Sequence, residues 1–193
     1  ATFVGMVFYA RSPRHLSFEQ AALISQHARK QRHLGPKRVA LTVNMNEAEM
    51  TSMIGITDPD ILQLHGNETP MQAEKLRVRH GLPIIKAIRV ASADDLIVCG
   101  EWDGIADWLL FDAKGDLGGL PGGTGHIFDW TLLANHAGKT KWMLAGGLST
   151  ENVRRAITTT NARAVDVSSG VESALGKKDP RLIHAFVSAA QIG

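Results

Sequence analysis

The chain has 193 residues, a formal net charge of +2, and 44% hydrophobic against 21% charged residues. That is enough chain to bury one sizeable core with an ordinary globular balance; no apolar run reaches the roughly 20 residues of a membrane span, and lysines and arginines interleaved with acids lack the basic stripe of a nucleic-acid binder. A single cysteine, Cys99, excludes an internal disulfide framework, and with no export-type leader pattern the expected compartment is the cytoplasm.

Along the chain, apolar runs rich in β-branched residues predict strands at residues 2–9, 38–44, 61–66, 83–90, 106–113, 141–147 and 162–170. Between them the pattern predicts helices, among them 17–32, with Ala21, Ala22, Ile24 and Ala28 on one face, and 150–160, with Glu151 near its positive end. Strand starts fall roughly 21 to 36 residues apart, the beat of repeated βα units, which argues for parallel strands covered by helices. A (β/α)8 TIM barrel needs eight such units and typically about 250 residues. With seven visible, the expectation is a single TIM-barrel domain over residues 1–193 whose first βα unit precedes residue 1. A doubly wound open sheet would carry its glycine-rich loop after an early strand, whereas the glycines here cluster late.

Three of those late glycine stretches follow or approach strand ends: "PGGTGHIFDW" at 121–130, "LAGGLSTENV" at 144–153 and "VDVSSGVE" at 165–172. Glycine is used where φ must be positive or where another group approaches the backbone. A helix N-terminus after such a turn presents unpaired N–H groups and a positive dipole end to an anion. In TIM barrels phosphate is commonly held after the seventh and eighth strands, which, counting the expected first unit, end in "LAGGL" and "VDVSSG". Gly146, Gly147, Ser169 and Gly170, helped by Gly123 and Thr124, are therefore expected to bind phosphate, with Ser149 capping the helix that follows. The competing reading of each glycine pair is a tight turn packed against a helix.

Asp112 closes "WLLFDA" at the mouth of the sixth strand of that count, where a carboxyl partly shielded from water is expected to give a proton to a substrate oxygen. Its structural alternative is a loop cap that accepts backbone N–H bonds. Arg14, in "RSPRHLS", stands past another strand end, where a guanidinium can clamp a carboxylate or simply face solvent. His65, ending "LQLHG", is placed along the pocket or hydrogen-bonded in its rim. Lys86, Arg89 and Asp166 are expected to pair with each other, His15 and His126 to be loop residues, and Cys99 to be a structural thiol on the N-terminal face. The glycine-rich stretch from Lys114 to His126 is expected to close over substrate as a lid.

Taken in order, "SPRHLS", "LQLHG", "IKAIRV", "LLFDA", "GGTGHIFDW", "LAGGLSTENV" and "VDVSSGVESALGKKD" resemble the phosphoribosylanthranilate isomerase family across nearly the whole chain. The resemblance implies an Amadori rearrangement of N-(5-phosphoribosyl)anthranilate to 1-(2-carboxyphenylamino)-1-deoxyribulose 5-phosphate in tryptophan biosynthesis, on a (β/α)8 barrel and without metal or organic cofactor. It gives Asp112 the role of general acid on the furanose ring oxygen, Arg14 that of holding the anthranilate carboxylate, and the glycine turns that of holding phosphate. The family's general base is a cysteine in a first strand ending "KICG", which has no counterpart in these residues and is expected to precede Ala1. The implied partner is a small phosphorylated molecule, with no nucleic acid and no membrane; oligomeric state is left open. Two other readings stay on the table: an inactive fragment that still binds phosphate or anthranilate-like ligands, and another phosphosugar isomerase on the same barrel.

Overall fold

A computed structural model describes residues 1–30, 35–114 and 128–191, in two compact units, Ala1–Ile85 and Lys86–Gly193. In the first unit the elements alternate: β1 (Phe3–Phe8), α1 (Phe18–Lys30), β2 (Lys37–Thr42), α2 (Glu47–Thr57), β3 (Ile61–Leu64), α3 (Pro70–His80) and the start of β4 (Ile84–Val90). The second unit continues through β4, the 3-10 segment η1 (Ala93–Trp102), β5 (Trp108–Ala113), η2 (Trp130–Leu133), β6 (Lys141–Leu144), α4 (Val153–Thr160), a hairpin of β7 (Glu172–Ala174) and β8 (Lys177–Lys178), and α5 (Pro180–Gln191).

The sheet follows the chain, β1-β2-β3-β4 and then β4-β5-β6, with β1 parallel to β2, β2 to β3 and β5 to β6. This is the parallel βα architecture of a (β/α)8 barrel. Strands in such a sheet are covered on both faces, so they read as unbroken apolar runs instead of alternating ones. All four residues of β3 and the first five of β4 are buried, Gln63 and Lys86 included.

The helices of the first unit start and stop where local chemistry directs. Asn46 caps α2 by accepting from Glu49 N–H at 2.9 Å. Thr69 and Gln72 form a reciprocal capping box before α3, with Pro70 in the first turn, and Gly81 ends the helix at φ 66°. Each arrangement satisfies backbone groups that the helix leaves without a partner.

Three sequence expectations need correction. In α1 the buried face is marked by Ala21 and Ser25, both fully inaccessible, whereas Ile24 is 41% exposed. Ser25 lies four residues after Ala21 on the same helix face, with its hydroxyl 4.0 Å from the Met6 sulfur, so a small polar residue takes the slot assigned to an aliphatic one. The strand expected at 162–170 is reduced to two isolated parallel bridges, Leu144 with Val165 and Ser149 with Gly170. Beyond Asp166 N–H, which donates to Leu144 O at 2.8 Å, the backbone turns instead: Ser168 and Ser169 carbonyls accept from Val171 and Glu172 N–H groups. Finally, α4 begins at Val153, not at 150; Ser149 enters through its carbonyl, which accepts from Val153 N–H at 3.0 Å, and Asn152 occupies the cap position.

Candidate active site

The strand-end face of the second unit is built around a buried carboxyl group. Asp112 is the penultimate residue of β5 and only 5% exposed. Its Oδ1 accepts from the next residue's backbone, Ala113 N–H, at 2.9 Å, so the loop-cap geometry weighed from sequence is present. That bond fixes one oxygen of the carboxylate at the point where β5 leaves the sheet.

Directly beside it lies the turn after β6. Gly146 and Gly147 have φ of 85° and 61°, the left-handed region that L side chains rarely adopt. Space forbids a side chain as firmly as torsion does: a Cβ on Gly146 would stand 2.6 Å from Ala113 N and 3.1 Å from Asp112 Oδ1. The backbone of this turn therefore runs against the end of β5 because no side chain intervenes. Asn152 then locks the turn, its amide nitrogen donating to Gly147 O at 2.9 Å and its oxygen accepting from Ser149 N–H at 2.8 Å. Sequence reading did not single out Asn152, although an Asx residue three positions after a serine in a glycine turn is a recognisable signal.

The third glycine turn joins the same cluster. Gly170 is bridged to Ser149, and a Cβ there would fall 2.0 Å from Leu148 O. Its lack of a side chain is thus a packing requirement, while the half-buried Ser169 beside it remains on the turn itself. Asp112, Gly146, Gly147, Ser169 and Gly170 accordingly come together in one contiguous patch of the second unit. Gly123 and Thr124, His126 and the expected lid lie outside the described residues.

In the first unit, Arg14 and His65 each follow a strand. Arg14 is half-buried in a turn that folds back onto β1, where Leu16 N–H donates to Val7 O at 2.9 Å and Arg14 N–H to Ser12 Oγ at 3.2 Å. His65, 4% exposed, continues β3: its N–H donates to Thr42 O at 2.9 Å. Its Nδ1 lies 3.1 Å from Gln63 Nε2, and since an amide nitrogen can only donate, Nδ1 is the acceptor. The neighbouring Glu68 carboxylate accepts from Asn44 and Gly66 N–H groups at 2.7 and 2.9 Å, tying the ends of β2 and β3 together.

Of the remaining candidates, Lys86 is buried with its ammonium 5.3 Å from the centre of the Trp102 ring, and Arg89 and Asp166 are exposed. Exposed His15 sits on the turn after β1. Cys99 is buried in η1, and burial together with the Asp103 charge pushes its thiol up to about 11. A thiol held protonated in this way is neither nucleophile nor base at neutral pH. The first-strand cysteine that the family resemblance makes the general base has no counterpart among the described residues.

Parallel βα units in this order are those of a TIM-barrel protein, a fold whose active sites sit at the C-terminal rim of the strands. The family model for N-(5'phosphoribosyl)anthranilate (PRA) isomerase matches residues 1–189, and the chain belongs to that family. It is 47% identical to the N-(5'-phosphoribosyl)anthranilate isomerase of Parvibaculum lavamentivorans over 99% of this chain and 88% of the relative. Among solved structures, the phosphoribosyl anthranilate isomerase of Thermotoga maritima superposes with a TM-score of 0.84 at 34% identity, covering 99% of this chain and 88% of that one. A phosphoribosyl anthranilate isomerase in complex with reduced 1-(o-carboxyphenylamino)-1-deoxyribulose 5-phosphate gives a TM-score of 0.82 at 32% identity, with the same coverage. Among the described residues no helix is long and apolar enough to cross a membrane.

Proposed function

We infer that the chain is an isomerase of tryptophan biosynthesis that converts N-(5'-phosphoribosyl)anthranilate to 1-(2-carboxyphenylamino)-1-deoxyribulose 5-phosphate. The observation that carries the site assignment is the contact between the Gly146 turn and the Asp112 carboxylate: a Cβ at 146 would stand 3.1 Å from Asp112 Oδ1. An anion bound at the glycine turns is thereby set on the same rim as the acid. In this reading the backbone amides around Gly146, Gly147, Ser169 and Gly170 hold the substrate phosphate, with Gly123 and Thr124 contributing from their loop.

Asp112 gives its proton to the furanose ring oxygen. As the C1–O bond breaks, the anthranilate nitrogen lone pair closes to a protonated C1=N Schiff base; a general base, the role that the family resemblance gives to a cysteine outside the described residues, then takes the C2 proton, and the resulting enolamine tautomerises to the ketone. Acid and base suffice for these steps, so the route requires neither metal nor organic cofactor. Arg14 holds the anthranilate carboxylate and His65 lines the sugar site. The single cysteine, kept as a buried thiol, supports a reducing compartment, the cytoplasm.

The testing experiment is turnover of fluorescent substrate by Asp112→Asn, which keeps shape and removes the acid. We expect turnover to fall by about 10²-fold or more, the range for losing a general acid. Turnover near that of wild type removes Asp112 from the mechanism. Arg14→Ala separates this substrate from other phosphosugars: weakening confined to carboxylated aromatic substrates supports the assignment, and equal weakening for all opposes it.

A further inference from the structure

The hairpin after the Ser169–Gly170 turn carries a charge cluster that the reaction does not use. Its centre is Lys178, on β8, whose Nζ donates to Glu172 Oε1 at 2.8 Å, to Ser168 O at 2.8 Å and to Ser168 Oγ at 3.4 Å. An ammonium has three donors, and three partners occupy them, which leaves none directed at an external anion. Glu172 completes the arrangement. Its side chain is 5% exposed, its Oε2 accepts from Gly176 N–H at 3.2 Å, and its own N–H donates to Ser169 O at 3.0 Å.

A carboxylate that buried is costly unless paired and hydrogen-bonded, so Glu172 and Lys178 hold each other in place. Through the Ser168 carbonyl and hydroxyl the same ammonium pins the residue immediately before the turn. The other ties of the segment are backbone ones: the Ser149–Gly170 bridge, the Ser168 and Ser169 carbonyls that accept from Val171 and Glu172 N–H, and Val171 O, which accepts from Asp179 N–H at 2.9 Å, while β7 and β8 are short.

We propose that Lys178, with Glu172, is a positioning residue that clamps residues 168–172 so that the Ser169 and Gly170 backbone is preset for the substrate phosphate. This rests on the phosphate assignment made above. It makes Lys178 an indirect determinant of substrate affinity, acting through backbone geometry and not through its own charge on the ligand. Preorganisation of this kind lowers the ordering cost of binding and leaves the chemical step alone.

The test compares wild type, Lys178→Met and Lys178→Arg by backbone hydrogen exchange and by steady-state kinetics with inorganic phosphate as competitor. For Lys178→Met we expect exchange of residues 168–176 to rise about tenfold or more, with β5 and β6 unchanged. KM and the phosphate inhibition constant should rise together by about tenfold while kcat stays within about twofold, the signature of lost uniform binding. Lys178→Arg, which keeps a cation with several donors, should restore most of both effects. Unchanged exchange at 168–176 overturns the clamp. So does faster exchange spread equally over β5 and β6, which would make Lys178 a general stabiliser, or a fall in kcat with unchanged KM. If wild type shows no saturable turnover, the isomerase reading fails, and the exchange comparison still decides the clamp.

Discussion

A buried charge in each compact unit sits in a different setting. In the first, Arg38 is 8% exposed and answered in kind: its Nε and one terminal nitrogen donate to the two Asp60 oxygens, each at 2.9 Å, and its own backbone N–H donates to Asp60 at 2.7 Å. In the second, Asp112 is as deeply buried, yet its Oδ1 accepts from the adjacent backbone and faces a turn from which side chains are excluded. A bidentate guanidinium–carboxylate pair matches charge and shape within the chain. A carboxyl seated against a turn without side chains is the setting proposed above for the acid.

Substitutions at the two sites should therefore fail differently. The largest expected effect is on kcat: Asp112→Asn should lower it by about 10²-fold with an unfolding midpoint close to wild type, whereas Arg38→Met should leave kcat within about twofold and cost about 2–3 kcal/mol in urea unfolding. A stability loss at Asp112 matching that at Arg38 would erase the contrast. The glycine turns come next. Gly170→Ala places a methyl 2.0 Å from Leu148 O and should destabilise by about 2–4 kcal/mol. Gly146→Ala adds a left-handed φ to a 2.6 Å clash with Ala113 N, and should depress activity as well, because the displaced backbone is the one that seats Asp112.

Acid should act through a milder, purely structural group. Burial raises the Asp95 carboxyl, but N–H groups of Ala91 and Ser92 and the Lys114 ammonium outweigh it and bring the pKa down to about 2. Because the folded value lies below the unfolded one of about 3.9, Asp95 stabilises the fold above pH 4 and that contribution is lost as pH falls from about 4 to about 2. Unfolding midpoints measured across that window should fall less steeply in Asp95→Asn; equal slopes would remove Asp95 from the acid response. The smallest effect belongs to Ile24→Ser, expected within about 0.5 kcal/mol of wild type, whereas Ser25→Ile should cost about 1–3 kcal/mol by overpacking a closed site.

That last pair shows where the sequence was readable. Six of the seven expected strands form, and the glycines at 146 and 147 do adopt positive φ, since unbroken β-branched runs and paired glycines are local signals. The inward Ser25 was hidden because its partner, Met6, lies far along the chain. Residues 162–170 carried the composition of a strand, but pairing is a property of neighbours, and the turn-forming Ser168, Ser169 and Gly170 end it early. Asp112 was legible as a polar residue closing an apolar run. The Lys178–Glu172 clamp was not, because spacing does not reveal that a lysine in a hairpin reaches back to a serine carbonyl ten residues earlier.

The most direct test of the central claim is a crystal structure of this protein with reduced 1-(o-carboxyphenylamino)-1-deoxyribulose 5-phosphate bound. The phosphate should lie within hydrogen-bonding distance of backbone amides in the 146–147 and 169–170 turns, with the Asp112 carboxyl against the sugar-derived chain. A phosphate bound away from those turns, or a sugar chain out of reach of Asp112, would contradict it.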